Sequence, residues 1–155
     1  MPATDLTDSI VTLCESIWTE TLGLPLTPAP TSACPDPSVT VEGCVHISGQ
    51  WSGLVLVQCS LPLAWLAATR MFRLGDQAPT DEEVRDAVGE LTHMISGNIK
   101  TLLSGTDCDL SMPVVIEGHD FNVRVPGARM VADQRFTSAG EWMVVSVLQS
   151  FAAAA

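Results

Sequence analysis

The chain contains no tyrosine and only four tryptophans and four phenylalanines, too few to build a surface on which nucleobases stack. Bases are scarce as well. Seven Lys and Arg face 18 Asp and Glu, a formal charge of −11 at pH 7 that repels a phosphate backbone and leaves little counterion release to drive binding. Nucleic acid is therefore not an expected partner. No apolar run reaches the roughly 18 residues of a membrane span, and no basic region followed by an apolar core opens the sequence, so neither a bilayer nor a secretory route is expected. The five cysteines, Cys14, Cys34, Cys44, Cys59 and Cys108, are odd in number and include no C-x-x-C pair, the usage of a reduced, cytoplasmic protein. Glycine-rich phosphate loops, G-x-S-x-G elbows and zinc-ligand spacings are also missing. The remaining expectation is one soluble domain over 1–155, a size at which a fold can bury roughly 70% of the surface its unfolded chain exposes.

The apolar periodicity divides this length into elements. Leu6, Ile10, Leu13, Cys14, Ile17, Trp18 and Leu22 recur at three- and four-residue steps before Gly23, which predicts a helix over 5–22. Five of the ten prolines then fall between Pro25 and Pro37, so 24–38 reads as an irregular, solvated surface connection. Val39 to Ile47 and Trp51 to Cys59 read as a hairpin with Ser48-Gly49 as its turn. Ser60 and Pro62 open a short helix through Phe72. Thr80 and Glu83 have capping-box spacing and start a longer helix of about 80–104, closed by Gly105. Strand-like sequence follows at Val114–Ile116, Phe121–Val125, Met130–Thr137 and Trp142–Phe151, with Ser138-Ala139-Gly140 as the last turn, and the alanines of 152–155 read as a frayed tail. The expected class is α+β (mixed α/β), a single domain whose helices cover one side of a largely antiparallel sheet.

The long helix is the strongest functional lead. At 100° per residue from Asp86, Glu90 falls near 40°, His93 near −20°, Gly97 near 20° and Lys100 near −40°, while Val84, Val88, Leu91, Ile95 and Leu102 fall between about 140° and 200°. One face packs and the other displays two acids, an imidazole, a glycine and a lysine. Gly97 costs roughly 1 kcal/mol of helix propensity relative to alanine, which makes sense if something must approach closely. A solvated face whose acids complement the helix dipole is the plainer reading of the same stripe.

Asp86-x-x-x-Glu90-x-x-His93, continuing Met94-Ile95-Ser96-Gly97-Asn98, with Ser111-Met112-Pro113-Val114-Val115-Ile116-Glu117-Gly118 downstream, resembles the CheX branch of the CheC/CheX/FliY chemotaxis phosphatases. The likeness extends over nearly the whole chain, through Leu22-Gly23, Gly49-x-Trp51-x-Gly53, Met71-Phe72 and the final hairpin. The resemblance implies a mixed-sheet α/β fold, often dimeric through strand edges, and hydrolysis of the aspartyl phosphate of a response-regulator receiver such as CheY. By the same likeness Glu90 pairs with the receiver's lysine, position 93 holds the attacking water, and Asp86, Gly97 and Lys100 belong to the docking face. Pro113 is the signature proline, and Asn98 is expected to be a buried, hydrogen-bonded structural residue. The protein would need no cofactor of its own, because the receiver brings the phosphoryl group and Mg²⁺.

The departure is at residue 93, where the family has Asn and this chain has His. A carboxamide offers an acceptor and donors side by side, whereas neutral imidazole offers one acceptor nitrogen with its N–H across the ring, and imidazolium offers no acceptor. Three readings follow for this position: a phosphatase with histidine holding the water, a catalytically silent receiver-binding module, and a histidine nucleophile that takes the phosphoryl group itself. A metal site from Asp86, Glu90 and His93 would need further ligands from other helices, and the sequence supplies none at matching spacing, so no metal is expected. His46 and His119 have no ligand-spaced partners.

Overall fold

The computed structural model describes residues 3–30, 39–104, 107–118 and 125–150. Its elements are α1 (Ala3–Leu22), β1 (Thr27–Ala29), β2 (Thr40–Gly49), β3 (Gly53–Ser60), α2 (Leu61–Met71), α3 (Asp81–Ser104), β4 (Cys108–Leu110), β5 (Val114–Gly118), β6 (Ala128–Ser138) and β7 (Glu141–Ser150). The strands form one sheet in the order β1-β6-β7-β3-β2-β4, with β5 also on β2, and every pairing is antiparallel.

Strand alternation assigns the two faces. Val41, Val45 and Ile47 of β2, Val55, Val57 and Cys59 of β3, Phe136 of β6, and Met143, Val145 and Val147 of β7 are buried in one core with the apolar sides of all three helices. The helices therefore cover a single face, and the period of two in these strands is the sequence counterpart of that layering. On the opposite face Leu54, Leu56 and Leu148 make a small second cluster with Cys44, Val125 and Ala128. Trp18 ties α1 to the last hairpin. Its indole Nε1 donates to Ser138 Oγ at 3.0 Å, and that hydroxyl donates to the carbonyl of Pro25 at 2.8 Å.

The caps behave as their spacing predicts. Thr80 N donates to Glu83 Oε1 at 2.9 Å while Glu83 N donates to Thr80 Oγ1 at 3.1 Å, a reciprocal capping box that fixes the start of α3. Ser60 Oγ accepts from Leu63 N at 3.2 Å and begins α2. Ala139 and Gly140 both have positive φ, 51° and 77°, which matches the twist of the β6–β7 hairpin.

Two expectations are corrected. The proline-rich 24–38 is not wholly irregular: Leu24 and Leu26 are buried, and β1 adds to the free edge of β6. An outermost strand accommodates proline because the N–H that Pro28 lacks is dispensable there. The first hairpin turn also moves. β2 runs on through Gly49, and Gln50, Trp51 and Ser52 make the connection, with β4 pairing Ile47–Gly49 as a further strand too short to stand out in the sequence. The expected strand Phe121–Val125 lies outside the described residues except for Val125, as do Cys34, Gly105, His119 and the 152–155 tail. The other four cysteines carry free thiols. No helix among the described residues is long and apolar enough to cross a membrane.

One carboxylate on the face away from the helices is buried. Glu42 is 1% exposed, accepts from Gln58 Nε2 at 2.7 Å, and has its carboxyl pushed above the usual range by burial, an effect that the Gln58 bond partly opposes. A carboxyl raised in the folded state favours folding while it is protonated, and that contribution is lost as pH rises through the raised value. Glu42→Gln keeps an acceptor for Gln58 without the charge. It should raise the melting temperature by a few degrees at pH 7 and by less at pH 4, checked by thermal unfolding of both forms across that range.

Candidate docking face on helix α3

The packed side of α3 is as the periodicity requires: Val84, Val88, Leu91 and Ile95 are buried, and Leu102 is half-buried. Thr92 and Ser96 are also buried, each satisfied by the carbonyl one turn earlier, Thr92 Oγ1 donating to Val88 O and Ser96 Oγ to Thr92 O, both at 2.6 Å. Thr92 sits over Gly43 of β2, where a Cβ would overlap its hydroxyl. The glycine lets the helix lie close to the sheet and so fixes the rotation of α3, which decides what the other side presents.

That other side presents Asp86, Glu90 and His93, all exposed, with Gly97 and Lys100 half-buried further along. Glu90 and His93 are three residues apart and lie on neighbouring positions of the helix surface. Gly97 is not required by internal packing. A Cβ there would meet only Leu110 Cδ1, at the ordinary distance of 3.8 Å. Among the described residues no three of His, Cys, Asp and Glu stand close enough to share a metal ion, so Asp86, Glu90 and His93 do not converge on one point.

The stripe is a crest between two grooves. On one flank α1 supplies Asp8, Thr12, Ser16 and Glu20, opposite Met94 and Asn98 of α3, around a groove of about 740 Å³. Asn98 is exposed on its wall, its Nδ2 donating to Met94 O at 2.9 Å; the expectation of a buried Asn98 fails because α1 leaves this angle of α3 open. On the other flank Pro113 and Val115 approach Gly89, where a Cβ would lie 3.5 Å from Pro113 Cγ and from Val115 Cγ2. Together with Met112, Arg85, Asp86 and Glu90 they line a shallow groove of about 470 Å³. Pro113 thus stands beside the motif helix one residue from Glu90. Sequence reasoning misses the participation of Gly89, Arg85 and Met112, although a second glycine inside the long helix, directly before Glu90, is a signal. His46 is exposed on the other face of the sheet, its main chain bonded to Ser111.

The profile of the chemotaxis phosphatase CheX matches residues 41–137, a span that contains the hairpin, α2, the stripe helix and the Pro113 corner. No curated protein sequence matches the chain. Among solved structures, CheX from Vibrio vulnificus superposes with a TM-score of 0.77 at 24% identity over 97% of this chain and 99% of that one. CheX from Desulfovibrio desulfuricans gives 0.74 at 22% over 94% and 99%. A CheX–CheY–BeF3–Mg²⁺ complex from Borrelia burgdorferi gives 0.68 at 19% over 93% and 97%. At these identities the structures establish a shared fold, and the profile match establishes kinship: the chain belongs to the chemotaxis phosphatase CheX family.

Proposed function

We propose that this protein docks the exposed stripe of α3 over the active site of a phosphorylated, CheY-like receiver and promotes hydrolysis of its aspartyl phosphate in the cytoplasm, as one CheX-like domain that pairs with a second copy. The observation that carries the reading is the joint exposure of Glu90 and His93 on one side of a helix whose opposite side is locked to the sheet. The Borrelia burgdorferi CheX was solved with CheY, BeF3 and Mg²⁺, which supports a receiver as the partner class and the partner as the source of the metal. Glu90 engages the receiver's lysine. His93, one turn on, accepts a hydrogen bond from the attacking water and holds it in line with phosphorus. Phosphoryl transfer to water has a loose transition state, so placement and charge matter more than base strength, and imidazole is sufficient if its acceptor nitrogen reaches the water.

A second reading is favoured by the same residue: with His where the family has Asn, the stripe binds a receiver without hydrolysing its phosphate. One assay separates the two. Acyl phosphate loss is followed on a panel of phosphorylated receivers with wild type, Glu90→Ala and His93→Asn. The phosphatase reading expects acceleration by wild type that falls about tenfold in Glu90→Ala, the scale of losing one interfacial charge pair. Acceleration by His93→Asn alone would make the natural protein a silent binder, and phosphate appearing on His93 would make it a phosphotransfer protein. No effect from any form would remove the receiver as partner.

A further inference from the structure

The corner between β4 and β5 presents Met112 83% exposed, the most exposed of the large apolar side chains described. The corner is held on both sides. Ser111 N donates to His46 O and His46 N donates to Ser111 Oγ, each at 2.9 Å, while Ser111 Oγ donates to Met112 O at 3.1 Å. Pro113 then fixes the backbone φ and lies against Gly89 of α3. A side chain so exposed on so constrained a corner gains nothing from the fold, since it buries almost no surface.

What it adjoins gives the chemistry. Met112 and Pro113 form one side of the groove whose other side carries Asp86 and Glu90, and Gly89 between them contributes no side chain, which leaves the groove open along the helix. Arg85, one turn from Gly89 toward the helix N-terminus, lines the same groove. An apolar wall facing a carboxylate suits a side chain with an aliphatic stem and a terminal cation. Lysine lays its methylenes along apolar surface and keeps its ammonium at the polar margin. Methionine is a fitting wall because its unbranched, polarisable thioether adapts to an incoming chain.

We propose that Met112 and Pro113, across Gly89 from Glu90, form a clasp for the stem of the receiver's lysine and deliver its ammonium to the Glu90 carboxylate. Met112 is then a positioning residue for the partner, acting through the lysine and not on phosphorus. The inference rests on the receiver reading above and adds to it a second wall for the same contact.

The test is calorimetric titration of a Mg²⁺-bound, beryllium-fluoride-loaded receiver into wild type, Met112→Ala, Met112→Leu and Glu90→Ala, repeated with a receiver whose active-site lysine is alanine. With the native receiver, Met112→Ala should weaken binding about fivefold, the loss expected for a few buried methylene equivalents, and Met112→Leu should restore most of it. With the lysine-to-alanine receiver, Met112→Ala should change affinity by less than about twofold, because the stem it contacts is gone. Equal weakening toward both receivers would overturn the clasp in favour of an undirected apolar contact, and no weakening toward either would overturn it outright. If wild type binds no receiver, the reading beneath fails. If Glu90→Ala weakens binding while the Met112 variants do not, only the clasp fails.

Discussion

Asparagine at position 93 is expected to keep the activity, and alanine there is expected to lower the rate about a hundredfold, the scale of a misplaced reacting group. The argument turns on which side chain can accept a hydrogen bond from the water. Neutral imidazole has one free lone pair for the water and imidazolium has none. A methyl group offers none, so alanine at this position leaves the water unplaced, whereas a carboxamide oxygen accepts as the ring nitrogen does and His93→Asn should retain the rate. Single-turnover loss of acyl phosphate at fixed ionic strength, with the receiver's spontaneous hydrolysis subtracted, gives the comparison. A His93→Ala rate equal to that of the wild type would mean that His93 does not hold the water.

The stripe that carries His93 is legible in the sequence because helical periodicity is a strong signal over a long element. Val84, Val88, Leu91 and Ile95 repeat at the helical period, and all are buried. The capping box at Thr80 and Glu83 is written in two residues and forms as written. The flanks of the stripe are less legible, since they depend on which neighbours pack beside α3. Asn98 lies at an angle that a closer α1 would bury, and the groove between α1 and α3 leaves it exposed. Pro113 and Gly89 meet only because β5 pairs with β2 under the N-terminal half of α3, a contact between distant parts of the chain that no local periodicity reveals.

The strands that escape a sequence reading share a cause. β1 and β4 are three residues each, shorter than any window in which an alternation can be distinguished from chance, and β1 lies among prolines that argue against a strand. Yet Leu24 and Leu26, both buried, alternate with exposed Pro25 and Thr27, a period of two that composition conceals. The exposed β1 edge is tolerable for the reason that hides it, because Pro28 offers no donor to a passing strand.

Gly43 gives the largest expected effect on stability, and nothing near it in sequence marks it. Gly43→Ala should destabilise the protein by about 3 kcal/mol, the upper end for overpacking, which for a chain of this length corresponds to a melting temperature lower by about 10 °C. The added Cβ would overlap Thr92 Oγ1 and crowd Thr92 Cβ and Cγ2 at 3.0 and 3.3 Å. Thr92 cannot readily turn away, because its hydroxyl is bonded to Val88 O and the residue is buried between helix and sheet. Relief requires α3 to lift from β2 or to rotate, and rotation would carry Glu90 and His93 out of register with Pro113. Thr92→Ala in the same chain removes the hydroxyl and the methyl but leaves Thr92's own Cβ position occupied, so the double variant should recover part of the loss. Thermal and urea unfolding of the two single variants and the pair measure this coupling. Independent, additive losses would show that Gly43 and Thr92 do not meet, and the rotation of α3 that aims the stripe would then need another cause.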